Sequence, residues 1–129
     1  MKSNLKEKLE NEEAVVCVVG LGYVGLPLAK HFSKHLKTIG FDIDQSKVDE
    51  VDENNHNSNL FLTSDESKIN DADFVIICVP TPVQKNKEPD LSFVKKASET
   101  VGNNLREGSI VVYESTFIQE LQKKSAFLF

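Results

Sequence analysis

The chain has 129 residues, 40% of them hydrophobic and 27% charged, the balance of one globular domain with a core of its own. A formal net charge of -5 argues against a nucleic-acid or anionic-membrane surface, since either needs a basic patch. No window approaches the roughly 18 apolar residues of a membrane span, and the charged opening "MKSNLKEKLENEE" has no apolar segment of the signal-peptide kind. The expected setting is cytoplasmic, with no nucleic-acid or membrane partner.

Residues 1–13 are polar and rich in lysine and glutamate, a short leading helix or a tail. Residues 14–19 are short, β-branched and ended by glycine, which predicts a buried strand. From Val24 to Leu36 the apolar positions Val24, Leu28 and Phe32 recur at helical spacing, with Pro27 in the first turn, where a missing N–H costs little. "KTIGFD" reads as the second strand, and "QSKVDEVDE" as a short polar helix capped by Asp44. "NNHNSN" is loop-like, "LFLTS" a third strand and "DESKIND" a turn or helical stub.

"DFVIICV" is the clearest second core strand, followed by the proline-bounded loop "PTPVQKNKEP". Asp90 is placed to cap a helix over "LSFVKKASETVGNNL", whose Leu91, Val94, Ala97, Val101 and Leu105 share one face. "SIVVYES" reads as a further strand and "TFIQELQKKS" as a closing helix. Strands alternating with helices, the central strands apolar throughout, give an α/β fold: one doubly wound parallel sheet, Rossmann-like, in a single domain over residues 14–129.

The stretch "VVCVVGLGYVGLPLA" carries G-x-G-x-x-G between strand and helix. Gly20 suits the tight turn, Gly22 lets a pyrophosphate approach the main chain, and Gly25 lets helix pack closely on strand. The helix N-terminus adds unpaired N–H groups and a partial positive charge. Asp42 ends the second strand at the usual distance of roughly 20 residues, where a carboxylate can grip an adenosine ribose and repel a 2′-phosphate. NAD is thereby favoured over NADP, although Lys47 is a cation near enough to hold a phosphate. A plain turn at the glycines and a helix cap at Asp42 are the blander readings.

"VPTP" leaves a strand on the same sheet edge, so Thr81 can bond a cofactor while Pro80 and Pro82 stiffen the loop; it can equally be only a rigid loop. Ser115 and Thr116 of "YEST" either reach the nicotinamide side or cap a helix. His31 and His35 stand four apart on a helix but lack a third ligand, so they read as surface histidines and no metal is expected. Cys17 and Cys78 lie inside apolar runs, as small core hydrophobes kept as thiols.

Taken together, "VVGLGYVGLPLA", "GFDID", "DADFVIICVPTP", "KEPDLSFVKKASETV" and "IVVYEST" resemble the UDP-glucose/GDP-mannose dehydrogenase family, in its branch acting on UDP-N-acetyl-hexosamines. The resemblance implies an NAD-binding domain of an enzyme that oxidises the C6 alcohol of a UDP-sugar to a carboxylate by two hydride transfers. It carries the cofactor contacts onto Gly20, Leu21, Gly22, Tyr23, Val24 and Gly25, the ribose acid onto Asp42, and further contacts onto Lys47, Pro80, Thr81 and Thr116.

The family continues "EST" with a proline-glycine turn where this chain reads "FIQELQKKSAFLF", and the segment before "LFLTS" is short for the family. The family's central dimerisation helix, sugar-binding domain, catalytic cysteine and catalytic lysine have no counterpart here. The chain is thus expected to bind NAD without turnover, with no catalytic residue of its own. A non-catalytic dinucleotide-sensing module is the alternative; a methyltransferase would leave "VPTP" unexplained.

Overall fold

The computed structural model describes residues 5–114. Five strands, β1 (Val15–Val19), β2 (Lys37–Phe41), β3 (Leu60–Thr63), β4 (Phe74–Ile77) and β5 (Ile110–Tyr113), form one sheet in the order β3-β2-β1-β4-β5. Every neighbouring pair is parallel. The order reverses at β1, with β2 and β3 on one side and β4 and β5 on the other, so the doubly wound expectation holds. Val19 stands level with both Phe41 and Ile77, which brings the carboxyl ends of β1, β2 and β4 to one edge.

Because side chains alternate along a strand, β1 sends residues to two cores. Val16 and Val18 join Ala29 of α2 (Gly25–Phe32) and Val48 of α3 (Gln45–Glu53) on one face. Cys17 and Val19 join Ala97 and Val101 of α4 (Ser92–Asn104) and Ile69 of a 3-10 helix (Glu66–Asp71) on the other. Both faces being covered explains why β1 is apolar at every position. Full burial of Val18 contributes on the order of 1.5–3 kcal/mol.

The helices differ from the periodicity in three places. Helix α2 stops at Phe32, short of the expected Leu36, because Lys34 and His35 donate three residues back to His31 and Phe32 and the buried Ser33 hydroxyl bonds the Lys30 carbonyl. Val24 precedes this helix and is 42% exposed, so it does not join the inner face. Asp90 stands one residue before the N-cap of α4, which is Leu91; its carboxylate still accepts the Ser92 N–H at 2.9 Å. Asp44 does cap α3, accepting from the Ser46 N–H.

Two connections are more ordered than loop composition shows. "NNHNSN" is stapled to the end of α2: Asn57 donates to the Ser33 hydroxyl at 2.7 Å and Asn59 to its carbonyl at 3.2 Å. "PTPVQKNKEP" doubles back on itself, with Val83 and Pro89 bridged antiparallel. The polar leader contains α1 (Leu5–Glu10).

At the edge of the sheet opposite the carboxyl ends, Asp73 joins four elements. Its carboxylate accepts the Val15 N–H at 2.9 Å and pairs with Lys8 and Arg106, while its carbonyl accepts the Ile110 N–H. Burial alone would raise its pKa; the Val15 N–H, Lys8 and Arg106 together overcome this and hold it below the usual carboxylate value. Among the described residues no helix is long and apolar enough to cross a membrane.

Candidate functional site

The glycine turn leaves β1 where three strand ends meet. Gly20 has φ +103°, a left-handed geometry that strains any residue with a Cβ, and its N–H donates to the Phe41 carbonyl at 2.8 Å. Gly25 opens α2 directly over this turn: a Cβ there would lie 1.7 Å from the Gly20 carbonyl oxygen. At Gly22 a Cβ would meet nothing within 4 Å, so this stretch of main chain borders open space. The three glycines thus differ in role as the motif requires: one turns, one borders a cleft and one packs.

That space is a cleft of about 480 Å³ along the carboxyl edge. Gly20, Gly22, Asp42, Lys47 and Pro80 line it, from the glycine turn, the end of β2, α3 and the loop after β4. Leu21 is buried at 1% exposure and contributes its main chain to the turn. Tyr23, at 93% exposure, and Val24 face solvent, and Thr81 is half-buried outside the cleft lining. Thr116 and Ser115 lie outside the described residues.

Asp42 faces the turn. One of its carboxylate oxygens accepts the Leu21 N–H and the other the Asp44 N–H, both at 2.9 Å. An ionised carboxylate offers about four acceptor positions, so roughly two stay open toward the cleft for donors such as a ribose diol. Neighbouring Asp44 is held below the usual carboxylate range by the Ser46 hydroxyl and main chain and by Lys47. A dinucleotide fits this chemistry: bare main chain for a pyrophosphate, a carboxylate for a ribose, and apolar walls for the rings.

The opposite wall is formed by α4, on which the sequence reading placed no site residue. Phe93, Lys96, Ala97 and Thr100 line the cleft, and Phe93 keeps 48% exposure. The spacing of Phe93, Lys96 and Thr100 was a signal available in the sequence, a stripe that borders the core-facing one and shares Ala97 with it. Ile43 and Glu50 complete the β2–α3 side.

The cysteines supply no nucleophile. Cys17 is fully buried and its thiol is pushed up to about 12 by that burial. Cys78 lines the cleft at 6% exposure, but burial, and then Glu114, push its thiol up to about 11. Both are free thiols. His31 and His35 are at the surface, His35 standing 3.7 Å from Glu12.

Residues 14–126 match the model of the UDP-glucose/GDP-mannose dehydrogenase family, NAD binding domain. The chain belongs to the UDP-glucose/GDP-mannose dehydrogenase family. Similar members include Protein CapL of Staphylococcus aureus, 48% identical over 113 residues, covering 78% of this chain and 26% of that protein. The UDP-N-acetyl-D-glucosamine 6-dehydrogenase of Salmonella typhi is 44% identical, with 81% of this chain and 28% of that protein covered.

Among solved structures, a ternary complex of GDP-mannose dehydrogenase from Pseudomonas aeruginosa superposes with a TM-score of 0.72 at 29% identity, covering 78% of this chain and 28% of that one. The chain therefore spans under a third of the length of these family members. Within the dehydrogenase family it corresponds to the domain that binds NAD.

Proposed function

We propose that residues 14–129 form a domain that holds NAD in the carboxyl-edge cleft, as the cofactor half of a UDP-sugar 6-dehydrogenase. The observation that carries this reading is Asp42: its carboxylate stands against the glycine turn, 2.9 Å from the Leu21 N–H, beside open main chain at Gly22.

In this reading the main chain from Gly20 to Gly25 and the N-terminal turn of α2 hold the pyrophosphate, where N–H groups and the helix dipole favour an anion. Asp42 takes the adenosine ribose hydroxyls and disfavours a 2′-phosphate; Lys47 lines the same cleft from α3. Phe93 and Ala97 of α4 offer an apolar wall. Pro80 and Thr81 belong to the loop after β4, which leads toward the nicotinamide end; a contact from Thr116 is part of the proposal on the family resemblance alone. NAD supplies a hydride acceptor when bound; this chain's residues bind it, orient it and shield it from water.

The reaction of the longer protein, oxidation of a UDP-sugar C6 alcohol to a carboxylate, is supported by the name of the Salmonella typhi relative. It would belong to polysaccharide biosynthesis in the cytoplasm. The described residues hold no thiolate suited to a covalent intermediate, so this chain alone binds cofactor without turnover. That same feature favours the second reading, a dinucleotide-sensing module. Amide NMR tests the site: NAD should shift Gly20 to Gly25, Asp42, Lys47 and Ala97 together, whereas shifts confined to other surfaces would refute it.

A further inference from the structure

Asp42 makes two bonds of different kinds. The bond from the Asp44 N–H is local, two residues away, and any Asp before a helix can make it. The bond from the Leu21 N–H spans 21 residues and ties the end of β2 to the middle of the glycine turn. Immediately before it, the Gly20 N–H bonds the Phe41 carbonyl at 2.8 Å. Two consecutive N–H groups of the turn are thus held by Phe41, the last residue of β2, through its main chain and by Asp42, the next residue, through its side chain. Beyond Leu21 the turn meets open space at Gly22, and the Asp42 carboxylate is the last of these fixed points before it.

We infer that Asp42 is a positioning residue for the glycine turn, holding the Leu21 main chain, in addition to the ribose ligand proposed above. The inference rests on that reading for its effect on dinucleotides, and on geometry alone for its effect on the turn. Removing the carboxylate charge takes away the repulsion of a 2′-phosphate, which by itself would admit NADP. It also leaves the part-buried Leu21 N–H without an acceptor, an unfavourable state for a main-chain donor. The turn then shifts to find another acceptor, and the pyrophosphate cradle shared by NAD and NADP moves with it. Substitution at Asp42 alone is therefore expected to weaken both dinucleotides and to create no preference for NADP.

The experiment compares the wild-type chain with Asp42→Ala and Asp42→Asn by amide hydrogen exchange and by calorimetric titration with NAD and NADP. In the wild type the Leu21 amide is slow to exchange without ligand. In Asp42→Ala it exchanges at least tenfold faster while Val18 and Gly40 in the strands stay protected, and affinities for NAD and NADP both fall at least tenfold. Asp42→Asn, whose amide oxygen can accept from only one side, falls between and serves where the alanine variant does not fold. Unchanged Leu21 protection in the folded variants, or tighter NADP binding than in the wild type, would overturn the inference. Should the wild type bind neither dinucleotide, the functional reading fails, while the Leu21 exchange rates still decide whether Asp42 holds the turn.

Discussion

A methyl group on Gly25 would stand 1.7 Å from the carbonyl oxygen of Gly20, so the opening of α2 rests directly on the turn that leaves β1. The obstructing atom is main chain, itself held by the Gly20 N–H bond to Phe41, and cannot swing aside as a side chain would.

Gly25→Ala is accordingly expected to destabilise the domain by about 3 kcal/mol or more, at the upper end of overpacking costs. Urea denaturation would show it as a lower midpoint. An unchanged midpoint would mean that helix and turn are farther apart than described.

The Asp73 junction gives a pH dependence with a definite sign. Its folded pKa lies below the ordinary value of 3.8, so it contributes stability above that pH. The contribution is lost as pH falls through the lower folded value, when the carboxylate protonates and its bonds to Lys8, Val15 and Arg106 weaken. Asp73→Ala is expected to cost roughly 1–3 kcal/mol at pH 7, chiefly by leaving the Val15 N–H unpaired. Its thermal melts should also lose part of the acid-side decline seen in the wild type. Parallel acid profiles for the two proteins would contradict this assignment.

Thiol chemistry supplies an independent check on the core. With Cys17 and Cys78 buried and pushed up to about 12 and about 11, neither forms appreciable thiolate near pH 8. Labelling by an aromatic disulfide reagent should proceed no faster than unfolding, and should become rapid for both thiols in denaturant. Rapid labelling of Cys78 in the native chain would reveal a cleft floor more open than described, and a nucleophile where none is expected.

Phe93 tests the α4 wall, on which the sequence reading placed no site residue. It lies in the cleft yet keeps 48% of its surface exposed, so its ring contributes little to the core. Phe93→Ala should weaken NAD by about tenfold, equivalent to about 1.4 kcal/mol, and shift the melting temperature little. Equal NAD affinity in the variant would remove α4 from the site.

Much of the fold was legible because local and long-range signals agreed. The run from Val15 to Val19 had to be buried on both faces, and its glycine ending had to be a turn. Asp42 was legible as the acid at the end of the second strand, and its approach to the turn follows from the level ends of β1 and β2. What escaped had its cause in tertiary contacts. Helix α2 ends in three-residue turns at Lys34 and His35, with the Ser33 hydroxyl bonded to the Lys30 carbonyl and accepting from Asn57, a partnership across 24 residues that no helical periodicity encodes. The α4 wall escaped because its cleft-facing stripe is only partly apolar and runs beside a stronger core-facing one. Asp73 read only as the polar first residue of the strand "DFVIICV", whereas β4 begins at Phe74 and the partners of Asp73 come from both ends of the described chain.

The most direct measurement of the central claim is calorimetric titration of the wild-type chain with NAD and, separately, NADP. The account predicts saturable one-to-one binding of NAD, with NADP at least tenfold weaker because its 2′-phosphate meets the Asp42 carboxylate. Absence of NAD binding, or NADP binding as tight as NAD, would contradict it.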